Sequence, residues 1–361
     1  MTTARSAAAR GFALVIVMLV IVVLGLLAGA FALSMKVESR LAANANSDAE
    51  MEWLGRSGVE LARFVIANSG GGAGQNVWSV NQIWAGGPGA GNETNGPLVD
   101  ISLKNYQLGT GRFSVTIRDL ERKWNINAAD EPVLRRALTV VGVGAADASM
   151  IVDSILDWED PNENSRMSGA ESDFYLTKTP PYFSKNGWVD DLPELLLVNG
   201  VTPEIYWGPN LSAHAEWVTH PTGGAARNAG SVYPVGLADL FTPISVGRIN
   251  VNTASVYVLQ MLPGVDENIA ANIIRARAGP DGIEGTEDDT PIQSPAALAT
   301  VVPGLGPQAA ASLGSLAGVQ SLTFEVTVEA QIGNYQKRFV AIIQRGGSGQ
   351  SDVRILEFSP Q

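Results

Sequence analysis

The chain has 361 residues, no cysteine, and 36 acidic against 24 basic side chains, for a formal net charge of −12. Disulfides, thiolate catalysis and cysteine-ligated zinc are therefore excluded, and a phosphate-binding face is disfavoured because it needs a basic surface. The length calls for at least two domains, and the acidic balance is compatible with divalent metal.

The first predicted element is the run from Phe12 to Met35, which holds no charge and one hydroxyl, Ser34. As a helix at about 1.5 Å per residue it spans roughly 36 Å, enough to cross a hydrocarbon core of about 30 Å. It is too long for the apolar region of a secretory signal, and no A-x-A cleavage site follows it. Arg5 and Arg10 precede it in a leader without acids, so this end is expected to stay cytoplasmic while the rest is exported. Beyond Lys36 the apolar positions persist as Val37, Leu41, Ala45, Ala49, Trp53, Leu61, Phe64 and Val65, mostly on one stripe. The pattern predicts one continuous helix from about Phe12 to Asn68, half in lipid and half packed under a soluble domain, stopped by Gly70-Gly71-Gly72.

The basic leader, Gly11-Phe12, the apolar helix and its amphipathic extension resemble the class III signal of type IV pilins and pseudopilins. The resemblance implies that a prepilin peptidase cuts between Gly11 and Phe12 and methylates the new amino terminus. Most pilins carry a glutamate four residues after that terminus, whereas Ile16 stands there in this chain. A plain single-pass anchor is the alternative reading of this segment alone.

Residues 70–111 are rich in Gly and Asn and predict an irregular connection with one short helix near Val80–Trp84. Arg112 to Asp119 alternates as a half-buried strand does. Comparable alternation returns only at Leu322, through Phe324, Val326, Val328 and Ala330. A turn at Gly333-Asn334, a strand over Tyr335–Arg345 and a last strand over Val353–Phe358 follow. The fold class is α+β, a pilin-like unit of one long helix and a small antiparallel sheet with a large inserted α-helical domain. The expected organisation is a leader over 1–11, a membrane segment over 12–35, a pseudopilin domain over 36–120 and 319–361, and an insert over 121–318. A loop joining two strands accepts such an insertion at low entropic cost.

The insert carries a repeat of apolar-turn-Gly-apolar followed by a new helix, at 140–144, 197–201, 261–265 and 302–306. Two copies have a matching entry, Trp124-Asn125-Ile126-Asn127-Ala128 and Ile249-Asn250-Val251-Asn252-Thr253-Ala254, where the second Asn or the Thr is expected to cap the next helix. The stretch Asn250–Arg277 resembles a helix-hairpin-helix motif. Such units usually bind DNA, but here only Arg275 and Arg277 are basic while Asp266 and Glu267 stand at the turn. The hairpins are therefore expected to build an α-domain without nucleic acid.

Asp157, Glu159, Asp160, Asn162 and Asn164, followed by Glu171 and Asp173, place oxygen ligands in a loop broken by Pro and Gly, a pattern that suits calcium. A second acidic loop, 279–289, offers Asp281, Asp288 and Asp289. One or two calcium ions are expected, with solvated acidic loops as the alternative. There is no phosphate loop, nucleophile elbow or H-E-x-x-H, and paired carboxylates alone do not make a glycosidase. His214 and His220, with Trp217 between them, are expected at the surface. The chain is not expected to be an enzyme.

Taken together these segments resemble the K-type minor pseudopilin family of the type II secretion pathway. The likeness rests on Gly11-Phe12 with Ile16, the strand 112–119, Trp124–Asn127, Asp157–Asp160, Gly169–Asp173, Asp190–Glu194 and the Asn250-Val251-Asn252 hairpin. It implies an inserted α-domain, calcium in the soluble part, and a tip position with the I- and J-type subunits that supports export of folded proteins across the outer membrane. Further implied partners are the major pseudopilin, the prepilin peptidase, the inner-membrane assembly platform and a secreted substrate. The location implied is the bacterial inner membrane, single-pass, with the bulk periplasmic. In a pilin fibre the glutamate pairs with the amino terminus of the subunit nearer the tip, so Ile16 suits a subunit with nothing above it, since an unpaired carboxylate in the membrane is costly. Ala42, Ala45, Ala49 and Trp53 are expected to form the apolar face toward other subunits. The rival readings are a membrane-anchored helix-hairpin-helix DNA receptor and a type IV pilus minor subunit.

Overall fold

A 61-residue helix, α1 (Ala8–Asn68), carries the amino-terminal part of the chain. The computed structural model describes residues 8–69, 77–89, 93, 96–214, 233–346 and 352–361. Within α1, Ala13–Ala42 is long and apolar enough to cross a membrane, and its apolar stretch is not covered by other described residues.

From Met51 onward α1 lies against an antiparallel sheet. The buried face is Met51, Leu54, Gly55, Gly58, Val59, Ala62, Val65 and Ile66. This corrects the sequence-derived stripe: Trp53 is 70% and Phe64 43% exposed, and both point away from the sheet. The reason is close approach. A Cβ on Gly55 would stand 2.6 Å from the Phe339 ring, and one on Gly58 2.5 Å from Val328 Cγ1. Glycines mark the contact face, so counting only bulky apolar residues admits Trp53 and Phe64 from outside it beside Val65, which is buried.

The sheet has the order β1-β2-β7-β8-β9 with every pairing antiparallel, formed by β1 (Tyr106–Leu108), β2 (Gly111–Asp119), β7 (Thr323–Ile332), β8 (Tyr335–Arg345) and β9 (Val353–Pro360). Phe113, Val115 and Ile117 of β2 face the helix beside Phe324, Val326, Val328 and Ala330 of β7. Trp78 and Trp84 close this core, with ring centroids 4.9 and 5.5 Å from Phe324. β1 falls in the segment expected to be irregular. Its three residues are all exposed, so it lacks the alternation of a half-buried strand and is held by pairing with β2. The short helix expected at 80–84 is a single turn at Ile83–Ala85.

Between Asp119 and Thr323 the chain builds a second core of its own, from Trp124 to Val319. Two consecutive units in it follow one plan. The first runs through β3 (Trp124–Asn125), α2 (Glu131–Val141), α3 (Ala145–Glu159), an acidic loop, α4 (Ser172–Tyr175), a 3-10 segment at Leu192–Leu197 and α5 (Pro203–Trp207). After α6 (Leu237–Leu240), β4 (Phe241–Thr242) returns parallel to β3. The second runs through β5 (Ile249–Asn250), α7 (Val256–Gln260), α8 (Glu267–Arg277), an acidic loop, α9 (Leu298–Val301) and α10 (Pro307–Leu313). β6 (Ala317–Gly318) then returns parallel to β5. The four repeated turns place Gly142, Gly200, Gly264 and Gly304 at φ of +95°, +87°, +75° and +90°, where a side chain would be strained.

Asn125 caps the 3-10 turn Ile126–Ala128, accepting from Asn127 N at 2.9 Å, but Asn127 and Asn252 do not cap the next α-helices as expected. Asp130, Ser255 and Asp266 do, accepting from Val133 N, Val258 N and Ile269 N. Asn127 instead brackets Val189, donating to its carbonyl at 3.0 Å and accepting from its N–H at 2.7 Å. Asn252 does the same to Ile292, at 3.0 and 2.8 Å. Each unit thus ties its entry strand to the segment that follows its acidic loop.

Candidate metal centre and assembly helix

The first acidic loop is positioned by the end of α3. Trp158 is buried edge-on against Tyr175, ring centroids 5.3 Å apart, which fixes the last helical turn and turns Asp157 inward. The Asp157 side chain is fully buried and accepts from Arg166 N at 3.1 Å, and the Arg166 guanidinium stands 3.3 Å from it. Gly169 passes so close that a Cβ there would collide with Asp157 Oδ2. Glu171 enters from the start of α4, its Oε2 accepting from Ser184 Oγ at 3.1 Å. Its Oε1 is buried and finds no hydrogen-bond partner among the described residues.

One oxygen from each of Asp157, Asp160 and Glu171 lies within 4.8 Å of the others. Burial pushes the Glu171 pKa up to about 7, and the charges of Asp157, Asp160 and Glu163 add to the effect. Burial likewise raises Asp157. Repelling carboxylates around an unpartnered buried oxygen make a donor set that fits a hard divalent cation.

The other residues predicted for this loop do not join that convergence. Glu159 is two positions past Asp157 and so on another side of the helix, where burial pushes it up to about 8. Asp173 is exposed and accepts from Phe174 N at 2.7 Å. Asn162 and Asn164 are exposed; Asn162 donates its N–H to Asp160 Oδ1 and accepts from Asn164 N. Sequence reasoning passed over Glu163, which accepts from Ser172 Oγ at 3.0 Å and Asn186 Nδ2 at 2.8 Å, and over Ser184, Asn186 and Arg166. Glu163 was legible as one more acid in the run. Ser184 and Asn186 come from a later segment and carried no signal.

In the second loop Asp281, Asp288 and Asp289 each accept from a backbone N–H of the loop itself. Asp281 accepts from Ile283 N at 2.7 Å, Asp288 from Asp281 N at 3.0 Å and Asp289 from Gly285 N at 2.8 Å. The hydrogen bond from Thr286, followed by that from Asp281 N, lowers Asp288. These three do not converge as the first set does. Arg277 is 5% exposed and braces the loop, pairing with Glu284 and donating to Val251 O and to Ala254 O at 2.9 Å. Arg275 is exposed and donates to Asn272 Oδ1. A basic face for phosphate is not assembled here, since Arg277 is spent on the fold.

On α1, Ile16, Ala42, Ala49 and Trp53 are exposed. Gly11 and Phe12 belong to the helical backbone, and their side chains and that of Ala45 lie outside the described residues. Trp217 and His220 also lie outside them, while His214 ends a 3-10 segment, Gly208–His214.

Residues 111–208 match the family model described as type II secretion system, protein K, and residues 245–288 match the helix-hairpin-helix motif. The type II secretion system protein K of Aeromonas hydrophila is 24% identical over 93% of this chain and 93% of its own. That of Pseudomonas aeruginosa is also 24% identical, over 96% of this chain and 91% of its own. Along nearly its whole length the chain is similar to type II secretion system K proteins. Its fold is that of a chain in the GspK-GspI-GspJ complex from enterotoxigenic Escherichia coli. The TM-score is 0.62 at 16% identity, over 89% of this chain and 99% of that one. The shared fold is a pilin-like helix and sheet interrupted by a large helical insert.

Proposed function

We propose that this chain is a minor pseudopilin of the type II secretion system, capping the pseudopilus tip with the I- and J-type subunits to support export of folded proteins across the outer membrane. The observation that carries this reading is similarity to K proteins along nearly the whole length of both chains, together with a fold shared with a chain solved in a K–I–J complex. Ile16 supports the tip position, because a subunit with no neighbour above has no amino terminus for a glutamate to pair with. The exposed ridge of Ala42, Ala49 and Trp53 is the surface offered to companion helices. The DNA-receptor reading loses its basic face to the bracing role of Arg277.

The same reading places α1 across the inner membrane with the bulk periplasmic. A prepilin peptidase removes residues 1–11 and methylates Phe12, and the major pseudopilin, the inner-membrane assembly platform and a secreted substrate are further partners. Calcium belongs to it too, held by Asp157, Asp160 and Glu171; Asp281, Asp288 and Asp289 would have to bind it alongside their backbone hydrogen bonds. A bound ion would supply the positive charge that offsets repulsion among these carboxylates.

Co-purification from membranes expressing the I- and J-type subunits tests the assignment. A stable ternary complex is expected, with label on this chain confined to fibre ends. Label repeated along the shaft would overturn the tip position.

A further inference from the structure

The chain leaves the sheet at Asp119 and returns to it at Thr323, and the crossing is built around two buried carboxyls. Asp119 and Glu121 are 2% and 0% exposed. Asp119 Oδ2 accepts from Ser321 Oγ at 2.6 Å, Thr253 Oγ1 at 2.5 Å and Asn250 Nδ2 at 3.3 Å. Its Oδ1 accepts from Glu121 N at 2.8 Å. Glu121 Oε2 accepts from the N–H groups of Leu322 and Thr323, each at 3.0 Å, and its Oε1 from Val246 N at 3.4 Å. Asn250 completes the knot, donating its N–H to Glu121 O at 2.9 Å and its side chain to Ser321 Oγ and Trp78 O. Outgoing strand, returning strand and the second helical unit are therefore held through one pair of acids.

No cation bonds to either carboxylate among the described residues. Arg122 is the charged neighbour whose interaction with Asp119 is felt, and Arg118, Arg277 and Glu284 lie around Arg122. Burial raises Asp119 as well, and the hydrogen bonds from Ser321 and Thr253 offset part of that rise, as the N–H groups of Thr323 and Leu322 do for Glu121. Glu121 has burial and the Asp119 charge against ionisation, and burial first, then that charge, push it up to about 8. Two adjacent buried carboxylates cannot both ionise cheaply.

We propose that the Asp119–Glu121 pair holds a single proton that locks the helical insert onto the sheet, and that losing this proton as pH rises frees the insert to change its orientation. The sign follows from linkage. A carboxyl whose folded pKa is raised keeps its proton better in the native state. Stability from the junction is complete below the unfolded value near 4.5 and declines as pH climbs toward about 8. A tip subunit with this latch has an insert whose angle to the fibre responds to the pH of its compartment.

The absence of cysteine makes the test direct. Thr116→Cys on the exposed side of β2 and Ala146→Cys on α3 place two spin labels on the full chain in detergent micelles. The distance distribution should be narrow at about pH 5 and at least about twofold broader at about pH 9. Glu121→Gln, which keeps an acceptor for the backbone N–H groups but cannot titrate, should stay narrow throughout. An unchanged wild-type distribution overturns the proposal without any variant. Broadening that persists in Glu121→Gln, or in Glu121→Met should the Gln variant fail to fold, overturns it too.

Discussion

Glu171 and Asp157 are held side by side by the end of one helix and the beginning of another, with the half-exposed Arg166 the one cation paired with Asp157 among the described residues. If calcium fills the gap, binding to the native state alone adds about 2.7 kcal/mol at a hundredfold excess over Kd. Chelator should therefore lower the Tm, and Asp157→Asn with Glu171→Gln should abolish the difference; identical melting curves for the wild type would refute calcium. The difference should also grow with pH. Glu171, raised to about 7 without metal, must give up its proton to serve as ligand, so the calcium-induced rise in Tm should be small at about pH 5 and full near pH 8. At the other end of the chain, Gly11→Leu should block processing because the peptidase site must accept the residue before Phe12. Intact mass would then retain residues 1–11, whereas the wild type should begin at a methylated Phe12.

At the scale of elements, α1 presents two faces with opposite tasks. The inner face admits the sheet only because Gly55 and Gly58 leave room for Phe339 and Val328. Gly58→Val should overpack this contact and cost about 1–3 kcal/mol, read as a lower midpoint in denaturant. The outer face carries Trp53 at 70% exposure. Trp53→Ala should leave the midpoint within about 0.5 kcal/mol, as surface changes do, yet weaken recovery of companion pseudopilins. A large loss of stability would place Trp53 in the fold and not at an interface. The hairpins of the insert were legible because each needs a glycine at positive φ, a local demand that leaves a local mark. Their caps were not: Asp130, Ser255 and Asp266 compete on equal terms with the asparagines nearby, and only the finished fold sends Asn127 and Asn252 to Val189 and Ile292 instead.

For the whole molecule, the insert departs from one end of the β2–β7 ladder, and among the described residues its own core from Trp124 to Val319 is larger than the core beneath the sheet. The proposed end position rests on two arguments, that a body of that size obstructs stacking above it and that Ile16 replaces the pairing glutamate. Ile16→Glu separates the two effects. If the insert is the obstruction, the variant should still label only fibre ends. Label along the shaft would show that the missing glutamate alone kept the chain at the tip.

What the sequence determined by itself is whatever repeats with a short period or needs a particular backbone. The length and purity of the apolar run, the alternation in β2 and β7, and the hairpin glycines each state their structure within about ten residues, so the α+β class and the helical insert were readable in advance. Tertiary structure decided the rest, because those choices join residues that the chain keeps far apart. Ser321 reaches Asp119 across 202 positions, Tyr335 meets Asp48 across 287, and Ser184 meets Glu171 from a different segment. No local period encodes such pairs. They are selected by which arrangement buries the most apolar surface without leaving a carboxylate stranded, and that is settled only when the whole chain has folded.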